Sequence, residues 1–234
     1  KIATVHSDLG EDTETLFYIE KAIHEDFEKY EYYYYRGLSN MRLGNHIQAI
    51  ADFTKADKLH KDDHLVYFQR ATVHFHQHHY QMAIQDLNKA IVLAPNNSEY
   101  YVERAESYSK LNENEKALVD LNTAILKGDN LDCYLERALI FDQLNRFEEA
   151  EEDLKLFLKQ NPKNPVAQFQ FGIIEFHAKK YLSAEKLFDK VIESEPKNSK
   201  AFYYRGLSKF EQHKKDDACK DFNTCKKLGD TESF

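Results

Sequence analysis

One spacing governs this chain: a unit of about 34 residues that returns from one end to the other. Residues 64–97 are its cleanest copy. Tyr67, Ala71 and His74 follow one another at steps of four and three, and so do Ala83, Leu87 and Ala90. Such steps set each trio on one face of a helix. A turn at His78-His79 parts the two helices, and Pro95-Asn96-Asn97 ends the second. A chain of such copies is a row of helix hairpins, each hiding its apolar stripe against its neighbours.

With His64 as position 1, full units begin at Tyr30, His64, Ser98, Leu131, Pro165 and Ser199. The chain therefore divides into 1–29, 30–63, 64–97, 98–130, 131–164, 165–198 and 199–234, one continuous domain of repeats. Position 8 is always small: Gly37, Ala71, Ala105, Ala138, Gly172 and Gly206. Position 20 is always alanine: Ala49, Ala83, Ala117, Ala150, Ala184 and Ala218. Position 24 is Phe53, Leu87, Leu121, Leu154, Phe188 and Phe222. Pro95, Pro162 and Pro196 stop second helices, and Lys127-Gly128-Asp129-Asn130 does the same without proline in a unit one residue short.

An aromatic, a small residue, an aromatic, an alanine, an aromatic and a closing proline at these positions resemble the tetratricopeptide repeat. The resemblance covers the full length. It implies an all-α fold, a right-handed α-solenoid of helix-turn-helix repeats whose first helices line a concave groove. In the same register Leu9 and Gly10 take positions 14 and 15, Ile19 takes 24 and Ala22 takes 27. Lys1 then falls at position 6, inside a first helix, so the expectation is a fragment whose upstream residues complete that helix. Lys226 stands at position 28, where four units have Ile91, Ile125, Leu158 and Ile192. A polar closing face near a C-terminus is expected there. The stretch from Asp217 to Asp230 also resembles the final repeat of many Bacteroidota repeat proteins, which implies a bacterial source.

Composition narrows the function classes. The net charge is −8, so the chain as a whole carries no basic footprint for nucleic acid. No apolar run is long enough to span a membrane. Cys133, Cys219 and Cys225 form neither a disulfide framework nor a metal-spaced pair, and the odd thiol count favours a cytoplasmic over a periplasmic setting. No glycine-rich phosphate loop or nucleophile motif is present, so the expectation is a non-enzyme without cofactor.

Position 7, usually aliphatic in the family it resembles, is Arg36, Arg70, Arg104, Arg137 and Arg205. Position 23 of the same units is Asp52, Asp86, Asp120, Asp153 and Asp221. In the unit 165–198 these places hold Phe171 and Leu187, and in the first segment Ile2 and Tyr18. Charge stands at both or at neither, so the two positions are expected to face each other as an architectural pair.

By the resemblance, positions 2, 5, 6, 9, 12 and 13 point into the groove. The candidate partner-binding residues are Tyr34, Tyr35, Phe68 and Gln69, then Glu103, Glu106, Glu136 and Leu139, then Phe169, Gln170, Tyr203 and Tyr204. Aromatic ends and an acidic middle fit a peptide or helix with apolar anchors and central Lys or Arg. The alternative is that an acidic protein places glutamates anywhere exposed and that some of these aromatics pack between neighbouring helices. The lysine, arginine and asparagine pattern with which the family's carboxylate clamps grip acidic chaperone tails is missing.

His74, His76, His78 and His79, and the spaced His60 and His64, are the one metal-like cluster. His74 holds a packing position and His78-His79 a turn, so no metal site is expected. The expected function is a non-catalytic protein-interaction scaffold. The alternative is a regulatory or substrate-recruiting module of a larger enzyme, transport or secretion assembly. Self-association through the first or last unit is a further expectation.

Overall fold

In the computed structural model, described over residues 12–128 and 130–229, every regular element is a helix. These are α1 (Asp12–Glu25), α2 (Tyr30–Arg42), α3 (His46–Leu59), α4 (His64–His76), α5 (Tyr80–Leu93), α6 (Ser98–Lys110), α7 (Asn114–Lys127), α8 (Asp132–Gln143), α9 (Phe147–Gln160), α10 (Pro165–His177), α11 (Tyr181–Ser194), α12 (Ser199–Glu211) and α13 (Lys215–Lys227). Ile2, Leu9 and Gly10, on which the reading of the first segment rests, lie outside the described residues. The fold is an all-α helical-repeat solenoid. It forms two compact units that divide at residue 129: α1–α7 in the first, α8–α13 in the second. Within each, a first helix packs on its own second helix, and that on the next first helix.

Local chemistry sets the helix ends. Asp63, Asn97, Asn164 and Asn198 cap first helices by accepting from backbone N–H groups of the first turn, and Pro165 sits where no donor is needed. First helices close with left-handed residues at position 15: Gly44, His78, Asn112, Asn145, Lys179 and His213, with φ from 57° to 77°. The next residue's N–H returns to the carbonyl of position 11, as from His79 to His74 at 2.8 Å, a Schellman closure. Only Gly44 takes this backbone without penalty. Lys179→Gly or His213→Gly is therefore expected to raise stability by about 0.5–1 kcal/mol, read as a higher urea midpoint.

The core is thin and repetitive. All six position-20 alanines are fully buried, which lets paired helices approach closely. Phe53, Leu87, Leu121, Leu154 and Phe188 at position 24 are buried behind them. Positions 8 and 24 are matched in size: Gly37, Gly172 and Gly206 lie against Phe53, Phe188 and Phe222, while the alanine units carry leucine at 24. Tyr33 lies in the core, as its place among four tyrosines at 32–35 implies.

The arginine–aspartate positions do meet, inside each of the five repeats that carry both. Arg70 donates from Nε and Nη2 to Asp86, both at 2.8 Å, and Arg104 to Asp120 at 2.7 and 2.6 Å. Arg36–Asp52, Arg137–Asp153 and Arg205–Asp221 repeat this fork. The five aspartates are buried, and each guanidinium lies over the position-4 ring of its own repeat, at 5.2 to 5.7 Å. The planar fork matches the carboxylate geometry, and the ring shields the ion pair from water.

Candidate interaction surface

First helices of successive repeats touch within each unit: α2 with α4 and α4 with α6, then α8 with α10 and α10 with α12. The candidate residues sit on these helices. In the first unit α2 carries Tyr34 and Tyr35, α4 carries Phe68 and Gln69, and α6 carries Glu103 and Glu106. In the second, α8 carries Glu136 and Leu139, α10 carries Phe169 and Gln170, and α12 carries Tyr203 and Tyr204. All twelve are half-buried.

The aromatic candidates divide by what they touch. Phe68 lies 4.7 Å from the ring of Tyr100, which is fully buried, and Tyr34 lies 6.1 Å from Phe53. Phe169 and Tyr204 pack on each other at 5.9 Å and both on Phe188. These four bridge helices and are only half open to solvent. Burial, then the charge of Asp63, pushes the Tyr34 hydroxyl up to about 12, so it stays a neutral donor. Tyr35 touches Tyr34 edge-on at 5.5 Å, and Phe210, at position 12 of the last repeat, is half-exposed. Sequence periodicity shows which face a ring occupies. It does not show that a neighbouring repeat supplies the second half of its socket, as Tyr100 does for Phe68.

Glu103 stands in a crowded acidic setting. It makes no side-chain hydrogen bond or ion pair among the described residues, and it shares α6 with Glu99 and Glu106 at helical steps. Burial first, then Glu106 and Glu99, push its carboxyl up to about 7. The folded chain therefore holds a proton there that the unfolded chain releases at ordinary carboxylate pH. The resulting penalty is absent at about pH 4 and complete above about pH 7. Glu103→Gln is expected to stabilise the protein by about 1–2 kcal/mol at pH 8, allowing for partial solvent screening, and to change little at pH 4. Denaturant midpoints at the two pH values check this.

The histidines are engaged singly. His74 is buried, its Nδ1 has no hydrogen-bond partner, and burial lowers its pKa. His64 Nδ1 lies 2.6 Å from the Tyr100 hydroxyl, and His78 bonds Tyr80 in the turn. Among the described residues no three His, Cys, Asp or Glu side chains gather to hold a metal ion. Cys133 and Cys225 are buried, Cys219 is exposed, and burial raises the Cys133 thiol to about 11. No helix among the described residues is long and apolar enough to cross a membrane.

Family models described as tetratricopeptide repeat match residues 30–63, 64–97 and 135–199, together more than half of the chain. No curated protein matches. Among solved structures, a tetratricopeptide repeat protein from Parabacteroides merdae is 18% identical, with a TM-score of 0.73 over 98% of this chain and 92% of its own. The C-terminal part of a TPR repeat-containing protein from Cytophaga hutchinsonii is 17% identical, with a TM-score of 0.74 over 86% and 79%. YrrB, described as a TPR protein with an unusual peptide-binding site, is 21% identical, with a TM-score of 0.66 over 77% and 94%.

Proposed function

The chain belongs to the tetratricopeptide repeat family, and we propose that it is a non-catalytic scaffold whose first helices bind a peptide or helical segment of a protein partner. The observation that carries this reading is Glu103: a half-buried carboxylate without a partner, on a helix surface next to the Phe68-bearing helix. A half-buried carboxyl crowded by Glu99 and Glu106 gains both its charge and a counter-ion when a partner cation arrives. The occupant we favour is a segment with apolar anchors around a Lys or Arg. Preformed helices lose little entropy on binding it. That YrrB shares the fold and has a peptide-binding site supports this class of partner.

Selection from a displayed library of short helical peptides tests the proposal. Binders are expected to carry Leu or aromatic anchors flanking Lys or Arg. Glu103→Lys is expected to weaken them about tenfold or more, and Glu136→Lys to weaken those held by the second unit. Unchanged affinity in both variants removes the acidic centre. A selection that yields no binder removes the peptide-binding reading.

A further inference from the structure

The arginine forks have a third arm. Arg70, Arg104 and Arg205 each reach back from Nη1 to a residue sixteen places earlier: Thr54 at 3.2 Å, Asn88 at 2.6 Å and Asp189 at 2.7 Å. Those partners lie on the second helix of the preceding repeat. Each arginine thus ties its own hairpin to the one before, and Arg36 likewise feels the charge of Glu20, sixteen places back.

The junction between α9 and α10 lacks every part of this tie. Phe171 replaces the arginine, Leu187 the aspartate and Gln168 the shielding ring, and Lys155 stands sixteen residues before Phe171. An arginine at 171 would meet an ammonium group. Exposed pairs span this junction without the tie, whereas at the α11–α12 junction a similar exposed pair, Lys214 with Glu185, stands beside the sheltered Arg205 fork. Lys180 Nζ lies 2.5 Å from Glu151 and 3.6 Å from Glu175, and His177 Nδ1 lies 2.8 Å from Asp142. The Lys180 and His177 side chains are 44% and 43% exposed, against 17% for Arg205 at the next junction. Behind Lys180, Glu175 is buried and its Oε1 accepts no hydrogen bond, so it relies on that one cation. Salt screens exposed pairs strongly and sheltered, bidentate ones weakly.

We infer that the α9–α10 junction is a salt-responsive joint within the second unit, about which α10–α13 swing against α8–α9, while the α11–α12 junction is locked by Arg205. The swing would change the spacing between Glu136 and Leu139 on α8 and Phe169 and Gln170 on α10. The inference does not depend on what those residues bind.

Spin-label distances test it in the whole chain. One pair, Glu152→Cys with Lys186→Cys in a Cys219→Ser background, spans the joint. The other, Lys186→Cys with the native exposed Cys219, spans the locked junction. Between about 0.1 M and about 1 M salt, the distance distribution is expected to broaden roughly twofold across the joint and to hold its width across the lock. Lys155→Asn, Phe171→Arg and Leu187→Asp together graft the tie and are expected to abolish the broadening. Should that variant not fold, the converse exchange of Asp189→Lys, Arg205→Phe and Asp221→Leu is expected to transfer the salt response to the next junction. Equal response at both native junctions, or response at neither, overturns the inference. So does a folded graft that still broadens.

Discussion

Arg104→Met is expected to destabilise the protein by about 3–5 kcal/mol, and adding Asp120→Leu to recover a large part of that loss. Asp120 is 3% exposed and receives both forks of the guanidinium. Without Arg104 its carboxylate is left desolvated or must take up a proton, and either is unfavourable at neutral pH. Removing the carboxylate as well leaves two apolar residues at these positions, as the chain already has with Phe171 and Leu187. Recovery will be partial, because Arg104 also holds Asn88 and lies over Tyr101 and Tyr108. Urea unfolding at pH 7, followed by circular dichroism, orders wild type, double and single variant. A double variant no more stable than the single one would contradict the pairing.

Gly172→Ala is expected to lose about 1–3 kcal/mol, a large effect for one added methyl group. Its Cβ would lie 2.6 Å from Cε1 and 3.0 Å from Cδ1 of Phe188, a ring that is itself fully buried. The ring has no free space to yield, so the helices must part. Gly172→Ala with Phe188→Leu rebuilds the combination found at Ala71 with Leu87, Ala105 with Leu121 and Ala138 with Leu154. The double variant is expected to regain most of the lost stability in the same urea assay. Gly206 against Phe222, at 2.7 Å, provides a second copy of the experiment.

These two contacts also show how much of the molecule is legible in one sequence. Helix faces and turns recur in six frames and the arginine–aspartate pairing in five, so each can be read, and a residue that departs from the frame stands out. The size match between positions 8 and 24 was equally visible, yet alignment by residue class files Gly with Ala and Phe with Leu and so hides it. The third arm of the arginine was harder. Thr54, Asn88 and Asp189 share only the capacity to accept a hydrogen bond, a property that composition does not advertise. At the candidate surface the sequence places Tyr34, Phe68, Phe169 and Tyr204 on first helices, as the structure has them, but their rings are half spent on neighbours. Glu103 looks in sequence like any acidic helix residue. Its raised carboxyl comes from burial beside Glu106 and Glu99, which packing reveals.

The arginine forks have a consequence for how the chain acquires its structure. Both partners of each fork lie sixteen residues apart, and the third arm reaches only as far the other way. A segment of two hairpins therefore contains its own ionic ties before the rest of the chain has found its place. Loop closure over such short spans is fast and entropically mild. Folding can then begin at any repeat and spread outward, with no remote pairing to wait for.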